Sequence, residues 1–317
     1  MTNCVFVTGG GGYIGGRVVQ HLVAEGFEVC VGTRKASLVT PGWLSGARIA
    51  HTNWDDQQSL RLACRGMSAV IHLAAMNEID SSRDLEGALR VNVLASLRIL
   101  NAAIAEAVPR FVYFSTAHVY GAPLQGRLDE GTVPRPQHPY AITHKVAEDF
   151  VLAAHDKGQI EGLVFRLSNG FGAPVTHEVD RWTLLVNDLC RQAAVSGRVK
   201  LNTAGTQLRD FITLEDVARG VVHGLRMDKD KLGDGLFNLG KGISTSIFEM
   251  TQRVTERWAA LTGNRLPIER PEPSGEGPAP LVYSCEKYRK TGFVLVDRID
   301  REIDATLSVC IHSFNNE

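Results

Sequence analysis

No stretch of this chain reaches the roughly 18 apolar residues that a membrane-spanning helix requires, so no membrane partner is expected. Charge of one sign is also missing. The 34 Lys and Arg stand against 35 Asp and Glu, a net of −1, which removes the electrostatic footprint expected of a nucleic-acid or anionic-lipid binder. The six cysteines, Cys4, Cys30, Cys64, Cys190, Cys285 and Cys310, are scattered, with no CxxC pair and no metal-type cluster. No metal site is therefore expected. Most of these cysteines lie inside apolar runs and read as buried thiols of a reducing compartment, with the cytoplasm as the default. The first candidate strand starts at residue 4 and leaves no room for a signal peptide in front of it. What the 317 residues do contain is 44% hydrophobic side chains, enough for a sizeable core in one large domain or two that share a cleft.

Residues 5–15, Val-Phe-Val-Thr-Gly-Gly-Gly-Gly-Tyr-Ile-Gly, set a glycine-rich turn directly after an apolar strand. Ile14, Val18, Val19, Leu22 and Val23 follow at helical spacing, so the turn joins a strand to a helix. Backbone N–H groups and the helix dipole then point at a diphosphate. Gly9 permits the tight turn, Gly12 the approach of the pyrophosphate, and Gly15 the packing of helix on strand.

Candidate strands at 4–8, 28–32, 47–51, 69–73, 111–115 and 162–166 alternate with helical patterns. This rhythm predicts an α/β fold, a doubly wound parallel Rossmann-type sheet with a smaller mixed α/β C-terminal substrate domain. Beyond Arg166 the rhythm breaks: residues 170–182 read as a loop, a helix follows near 183–196, and Phe211-Ile-Thr-Leu-Glu-Asp-Val opens another helix. Residues 267–280, with five prolines and two glycines, read as too broken for regular structure. The expected division is a dinucleotide-binding domain over 1–166 and about 209–236, and a substrate domain over 167–208 and 237–317.

Further stretches fall in a telling order: Val70-Ile-His-Leu-Ala-Ala75, Asn92 in Val-Asn-Val, Phe114-Ser-Thr-Ala-His-Val-Tyr-Gly121, Pro139-Tyr140, Arg166-Leu-Ser-Asn-Gly-Phe-Gly172, Arg209-Asp-Phe-Ile and Phe237-Asn-Leu-Gly240. Together with the glycine loop they resemble the extended short-chain dehydrogenase/reductase family of the epimerase/dehydratase type, which modifies nucleotide sugars. The resemblance runs from residue 4 to about 308. It implies that Gly9, Gly12, Tyr13, Ile14 and Gly15 hold a dinucleotide, with Leu73, Ala74 and Ala75 against its nicotinamide. It places the catalytic Ser/Thr on Thr116 and the catalytic tyrosine on Tyr140. Elementary chemistry agrees: hydride transfer to a carbonyl needs a proton donor at its oxygen, and a second hydroxyl polarises that oxygen.

Two departures from the family pattern bear on the reaction. Four residues after Tyr140, where the family has lysine, stands His144; Lys145 is one residue, or about 100° of helix, further on. A fixed charge at about 4 Å and an effective dielectric near 20 is worth about 4 kcal/mol, or roughly three pKa units. Histidine gives less steady help, although it still donates to a ribose hydroxyl, and Tyr140 is expected to rest protonated. The second departure is Val31-Gly-Thr-Arg34-Lys35. Thr33 takes the position of the acid that usually binds the ribose 2′-hydroxyl, and Arg34 and Lys35 suit a 2′-phosphate. The cofactor expectation is therefore NADP, with NAD the alternative. Asn53, followed by Trp54, matches the family's adenine-contacting acid.

On the substrate side the resemblance assigns Asn169 and Arg209 to a diphosphate, with Arg270 a further phosphate ligand. The family's dehydratases carry Asp-Glu after the catalytic threonine; Ala117 and His118 stand there, so no acid–base pair for eliminating water is expected. The reading is an NADP-dependent reductase of a keto group, expected at C4, on a nucleoside-diphosphate sugar, destined for surface polysaccharide. The alternatives are an epimerase with tightly bound NAD and a non-catalytic dinucleotide-binding protein. A homodimer through helices near 84–106 and 140–155 is also expected, offering Leu85, Ala88, Leu89, Val93, Leu97 and Leu100.

Overall fold

The computed structural model describes residues 3–34, 42–273 and 277–314. Its strands are β1 (Cys4–Thr8), β2 (Glu28–Thr33), β3 (Ala47–His51), β4 (Ala69–His72), β5 (Arg110–Thr116), β6 (Gly126–Leu128) and β7 (Glu161–Leu167), then β8 (Asn169–Phe171), β9 (Val199–Lys200), β10 (Leu208–Thr213), β11 (Leu236–Leu239), β12 (Ser244–Ser246), β13 (Ile268–Glu269) and β14 (Leu281–Tyr283). Seven of them form a parallel sheet in the order β11-β7-β5-β4-β1-β2-β3. The order reverses between β1 and β4, and in such sheets the crevice at that reversal, outside the C-terminal strand ends, takes the ligand.

Helices cover both faces: α1 (Tyr13–Ala24), α2 (Gln57–Cys64), α3 (Glu78–Arg83), α4 (Leu85–Ala88), a π-helical stretch Leu89–Ala95, α5 (Ser96–Ala105) and α6 (Pro139–Asp156). α7 (Leu185–Ser196), α8 (Leu214–Arg226), α9 (Ile247–Thr262), α10 (Glu286–Arg289) and α11 (Ile299–Phe314) follow. Alternation along β1 divides the core. Val5 and Val7 pack with Val18, Leu22 and Val221 on one side, and Phe6 with Leu60, Ile99 and Val151 on the other. β5 is buried along its whole length, as a central strand covered on both faces must be.

The smaller half has its own core of Leu189, Phe211, Val254, Trp258 and Ile303, drawn from α7, α9, α11 and β10. Two ties cross to the larger half. Arg17 pairs with Glu302 at 2.5 Å and donates to Ala173 O at 2.8 Å, and Tyr13 Oη donates to Gly172 O at 2.8 Å.

Several boundaries depart from expectation. β11 closes the edge of the large sheet beside β7, although residues from 237 on were expected in the substrate domain. β10, expected in the dinucleotide domain, pairs with β8 and β12 in a three-stranded sheet. A short buried apolar run reads alike in either sheet, so local pattern does not choose the partner. Ile268 and Glu269, in the segment read as irregular, pair with β9. The segment Leu85–Ala105 is, by length and composition, apolar enough to cross a membrane, contrary to the sequence reading. Its Ala88, Ala95, Ile99, Leu100 and Ala103 are instead buried within this fold. All six cysteines are free and buried.

Candidate active site

β1 ends in the glycine turn. Gly9 has φ +68°, and a Cβ there would lie 2.7 Å from the backbone of Leu73 and Ala74, so only glycine lets β1 and β4 approach so closely. A Cβ on Gly15 would lie 2.0 Å from Gly9 O, which fixes the helix tight against the turn. Gly12 is the N-cap of α1, and the first turn carries neither a side-chain cap nor an acidic residue. Its N–H groups are therefore open to an anion. The crevice above this turn is lined by Gly9, Gly12, Ile14, Gly15, Leu73 and Ala75 from the sheet side. Ala74 meets Gly9 through its backbone instead of lining the crevice. Tyr13 lines the crevice too, but its hydroxyl is engaged with Gly172 O and Asn187, which makes it a tie between the halves.

β5 carries Thr116 into the same crevice, and α6, with Pro139 at its first turn, brings Tyr140 and His144. Thr116 Oγ1 accepts from His118 N–H at 3.3 Å, leaving its O–H to donate outward. The Tyr140 hydroxyl has no hydrogen bond to the described residues. Burial, then the Glu78 charge, push its ionisation well above the ordinary phenol value, against Arg181. The phenol therefore rests protonated.

His144 is 3% exposed, with its ring centroid 4.1 Å from that of Tyr140. Its Nδ1 lies 2.8 Å from Tyr140 O. A carbonyl only accepts, so Nδ1 carries the proton and Nε2 is left as an acceptor. Burial pulls its pKa down to about 4, partly opposed by that hydrogen bond. His144 is consequently neutral, and its Nε2 is able only to accept a hydrogen bond. Lys145 turns to Asp149 on the outer face, and Glu148 pairs in the interior with Arg166 at 2.6 Å, as the ungapped register requires.

Behind these residues runs a buried chain of hydrogen bonds. Thr8 Oγ1 meets His72 Nδ1 at 2.6 Å, His72 Nε2 meets Ser96 Oγ at 2.8 Å, and Ser96 donates to Asn92 O at 2.7 Å. Since the Ser96 proton goes to that carbonyl, His72 must donate through Nε2 and accept from Thr8. Asn92, in the π-helical stretch, donates to Thr143 Oγ1 at 3.0 Å and accepts from Met76 N at 2.7 Å. This fixes the first turn of α6 beneath Tyr140.

On the substrate side, Asn169 lines the crevice and donates to Asp210 O at 2.9 Å. Arg209 has no ion pair with the described residues, because Asp210 is held by Ser168 and the N–H groups of Lys241 and Gly242, and Asp216 by Thr213, Val296 and Asp297. A half-buried guanidinium without a counter-ion is a ready anion site. Neither Arg209 nor Arg270 is among the crevice-lining residues, and Arg270 donates to Ala204 O at 2.7 Å and lies over the Phe248 ring.

Sequence reasoning missed Glu78 and Arg181, which pair at 3.0 Å across the crevice, and the orphaned buried hydroxyl of Ser115. Burial alone would raise the Glu78 pKa, but Arg181 outweighs it and holds the carboxyl below its ordinary value. No periodicity signals such a pair; the one cue was the charge carried by the loop at 170–182.

A second, shallower depression is lined by Arg34, Asn53, Trp54 and Arg98. Arg34 stacks 4.5 Å over Trp54, and Asn53 Oδ1 accepts from Asp55 N at 3.0 Å, which leaves one lone pair for an amino group. Lys35 lies outside the described residues.

An open glycine turn, an orphaned hydroxyl and a Thr/Tyr pair at the reversal of a parallel sheet define a dinucleotide-binding protein of the extended short-chain dehydrogenase/reductase type. Residues 5–240 match the NAD dependent epimerase/dehydratase family, and the chain belongs to it. It is 30% identical over 307 residues to a UDP-glucose 4-epimerase of Streptomyces lividans, covering 92% of this chain and 90% of that one. The human UDP-glucose 4-epimerase is 28% identical, with 85% of each chain covered. Among solved structures, a UDP-glucose 4-epimerase superposes with TM-score 0.82 at 25% identity, covering 98% of both chains. MoeE5 in complex with UDP-glucuronic acid and NAD superposes with TM-score 0.78 at 26% identity, over 98% of this chain and 99% of that one.

Proposed function

We propose that this chain is a nucleotide-sugar 4-epimerase that keeps NAD bound and acts on a UDP-linked sugar. The observation that carries the reading is the convergence of the Thr116 and Tyr140 hydroxyls on the crevice that also holds the open glycine turn. The glycine turn with Leu73 and Ala75 would hold NAD, which would supply reversible hydride acceptance toward the sugar carbon. The chain's own residues do the rest. Thr116 donates to the sugar oxygen, and Tyr140 moves the proton at that oxygen. Arg209 and Asn169 hold the diphosphate, and His144 accepts from a hydroxyl at its Nε2. The relatives named above support epimerisation over the reductase reading.

A second reading, an NADP-dependent ketoreductase, keeps the support of Arg34 over Trp54 and of the missing cation at position 144. One experiment separates them. Purified protein is denatured, the released dinucleotide is identified by mass spectrometry, and native protein is given UDP-galactose without added cofactor. Released NAD and formation of UDP-glucose are expected. Empty protein that turns over a 4-keto sugar only with NADPH would favour the ketoreductase.

We also propose a cytoplasmic homodimer. Leu85 and Leu89 with Ile142, Val146 and Phe150 leave an apolar stripe on the adjacent helices, while Ala88 and Leu100 face inward. Light scattering on the eluted protein should give twice the chain mass.

A further inference from the structure

One more imidazole lines the crevice, that of His118. It follows Thr116 by two residues in the turn Ala117–Tyr120, and its own N–H donates to Thr116 Oγ1 at 3.3 Å. That bond, from the His118 backbone, fixes the turn beside Thr116, and His118 lines the same crevice. Neither ring nitrogen has a hydrogen-bond partner among the described residues. The charged and titratable groups around it are Arg209 from β10, Glu78 from α3 and His138 at the N-cap of α6, with Arg181 paired to Glu78. Burial first, then Arg209, hold the ring neutral against the pull of Glu78. The sequence places no carboxylate after Thr116 and so promised no acid–base pair there. The fold supplies one from two elements, His118 and Glu78.

A ketone at C4 of a hexose acidifies the neighbouring C5–H, because the electron pair left behind delocalises onto O4. The hydroxyls of Thr116 and Tyr140, which donate to O4, stabilise that enolate oxygen as they polarise the ketone. We propose that His118 is a general base toward the carbon beside the carbonyl, giving the site a second activity: proton exchange at C5 of a 4-keto nucleotide sugar. The C5–H bond breaks and its proton goes to His118. Its electron pair forms the C4–C5 double bond, and the carbonyl π pair moves to O4. Protonation at C5 reverses each change, so nothing is oxidised or reduced. Glu78 stabilises the imidazolium while it lasts. The inference rests on the proposed function only in placing a 4-keto sugar in this crevice, and a supplied ketone removes even that dependence.

The test incubates the protein with UDP-4-keto-6-deoxyglucose in D2O at near-neutral pD and reads deuterium at C5 by NMR. Wild-type protein should exchange C5–H above the protein-free rate. His118→Ala should lose about a hundredfold or more, the scale of a general base. His118→Gln, which fills the site with an amide that takes no proton, should lose as much and serves if the alanine variant does not fold. Wild-type rates in both variants, or no exchange by wild-type protein, overturn the proposal. UDP-galactose epimerisation is assayed in parallel. Exchange without epimerisation sinks the proposed function alone, and epimerisation without exchange sinks this inference alone.

Discussion

Replacing His144 with lysine returns a cation to the place where this chain has a neutral imidazole, and its effect on Tyr140 can be worked out. The two rings are 4.1 Å apart between centroids. At about 4 Å and an effective dielectric near 20, a unit charge favours the phenolate by about 4 kcal/mol, about three pKa units. Burial of the site, which works against any charge there, trims that figure, so a fall of about two units in the Tyr140 pKa is expected. Phenolate absorbance is titrated as the difference between His144→Lys and the double variant that also carries Tyr140→Phe. The same difference is measured in the His144 background. The pH at which UDP-sugar oxidation levels off should fall by a similar amount. A phenolate titration unmoved by the lysine would refute the claim that position 144 sets the charge felt by Tyr140.

Tyr140→Phe should lower turnover by about 10²–10⁴-fold, the usual scale for a proton donor, and leave NAD affinity unchanged in a calorimetric titration. Arg209→Ala removes a charge-assisted contact of about 1.5–3 kcal/mol and should raise the KM for UDP-sugars about ten- to hundredfold, with kcat largely kept. Acid should destabilise the fold through two buried histidines. Burial lowers the pKa of His72 to about 3 and of His144 to about 4, from 6.5 in the unfolded chain. The unfolded state therefore binds more protons, and stability is full above pH 6.5 and falls as pH drops toward the folded values. Between pH 7 and 5 each histidine should cost about 2 kcal/mol, read as a shift in urea midpoint, and His72→Gln should remove its share of the pH slope.

Much of the catalytic half was legible in order along the chain, because its signals are local. A glycine turn between strand and helix works through backbone within ten residues, and the His144 register follows from counting along one helix. That Lys145 is turned about 100° away from His144 needed only the helical pitch, and its pairing with Asp149 agrees. Other features were decided by contacts between distant segments. Glu78 and Arg181 meet across 103 positions. Among the described residues Arg209 stands without a counter-ion, because its neighbours Asp210 and Asp216 are taken up by backbone N–H groups elsewhere.

The sequence by itself determined the alternation of strand and helix, the glycine turn between β1 and α1, and the absence of a lysine four residues after Tyr140. Each of these is encoded in a periodicity or spacing shorter than one element. Tertiary structure alone decided that β11 joins the large sheet while β10 joins the small one, and that His118 shares a crevice with Glu78. Sheet partnership, burial and charge pairing are properties of which segments meet, and free energies of a few kcal/mol among distant groups choose them without leaving a local pattern.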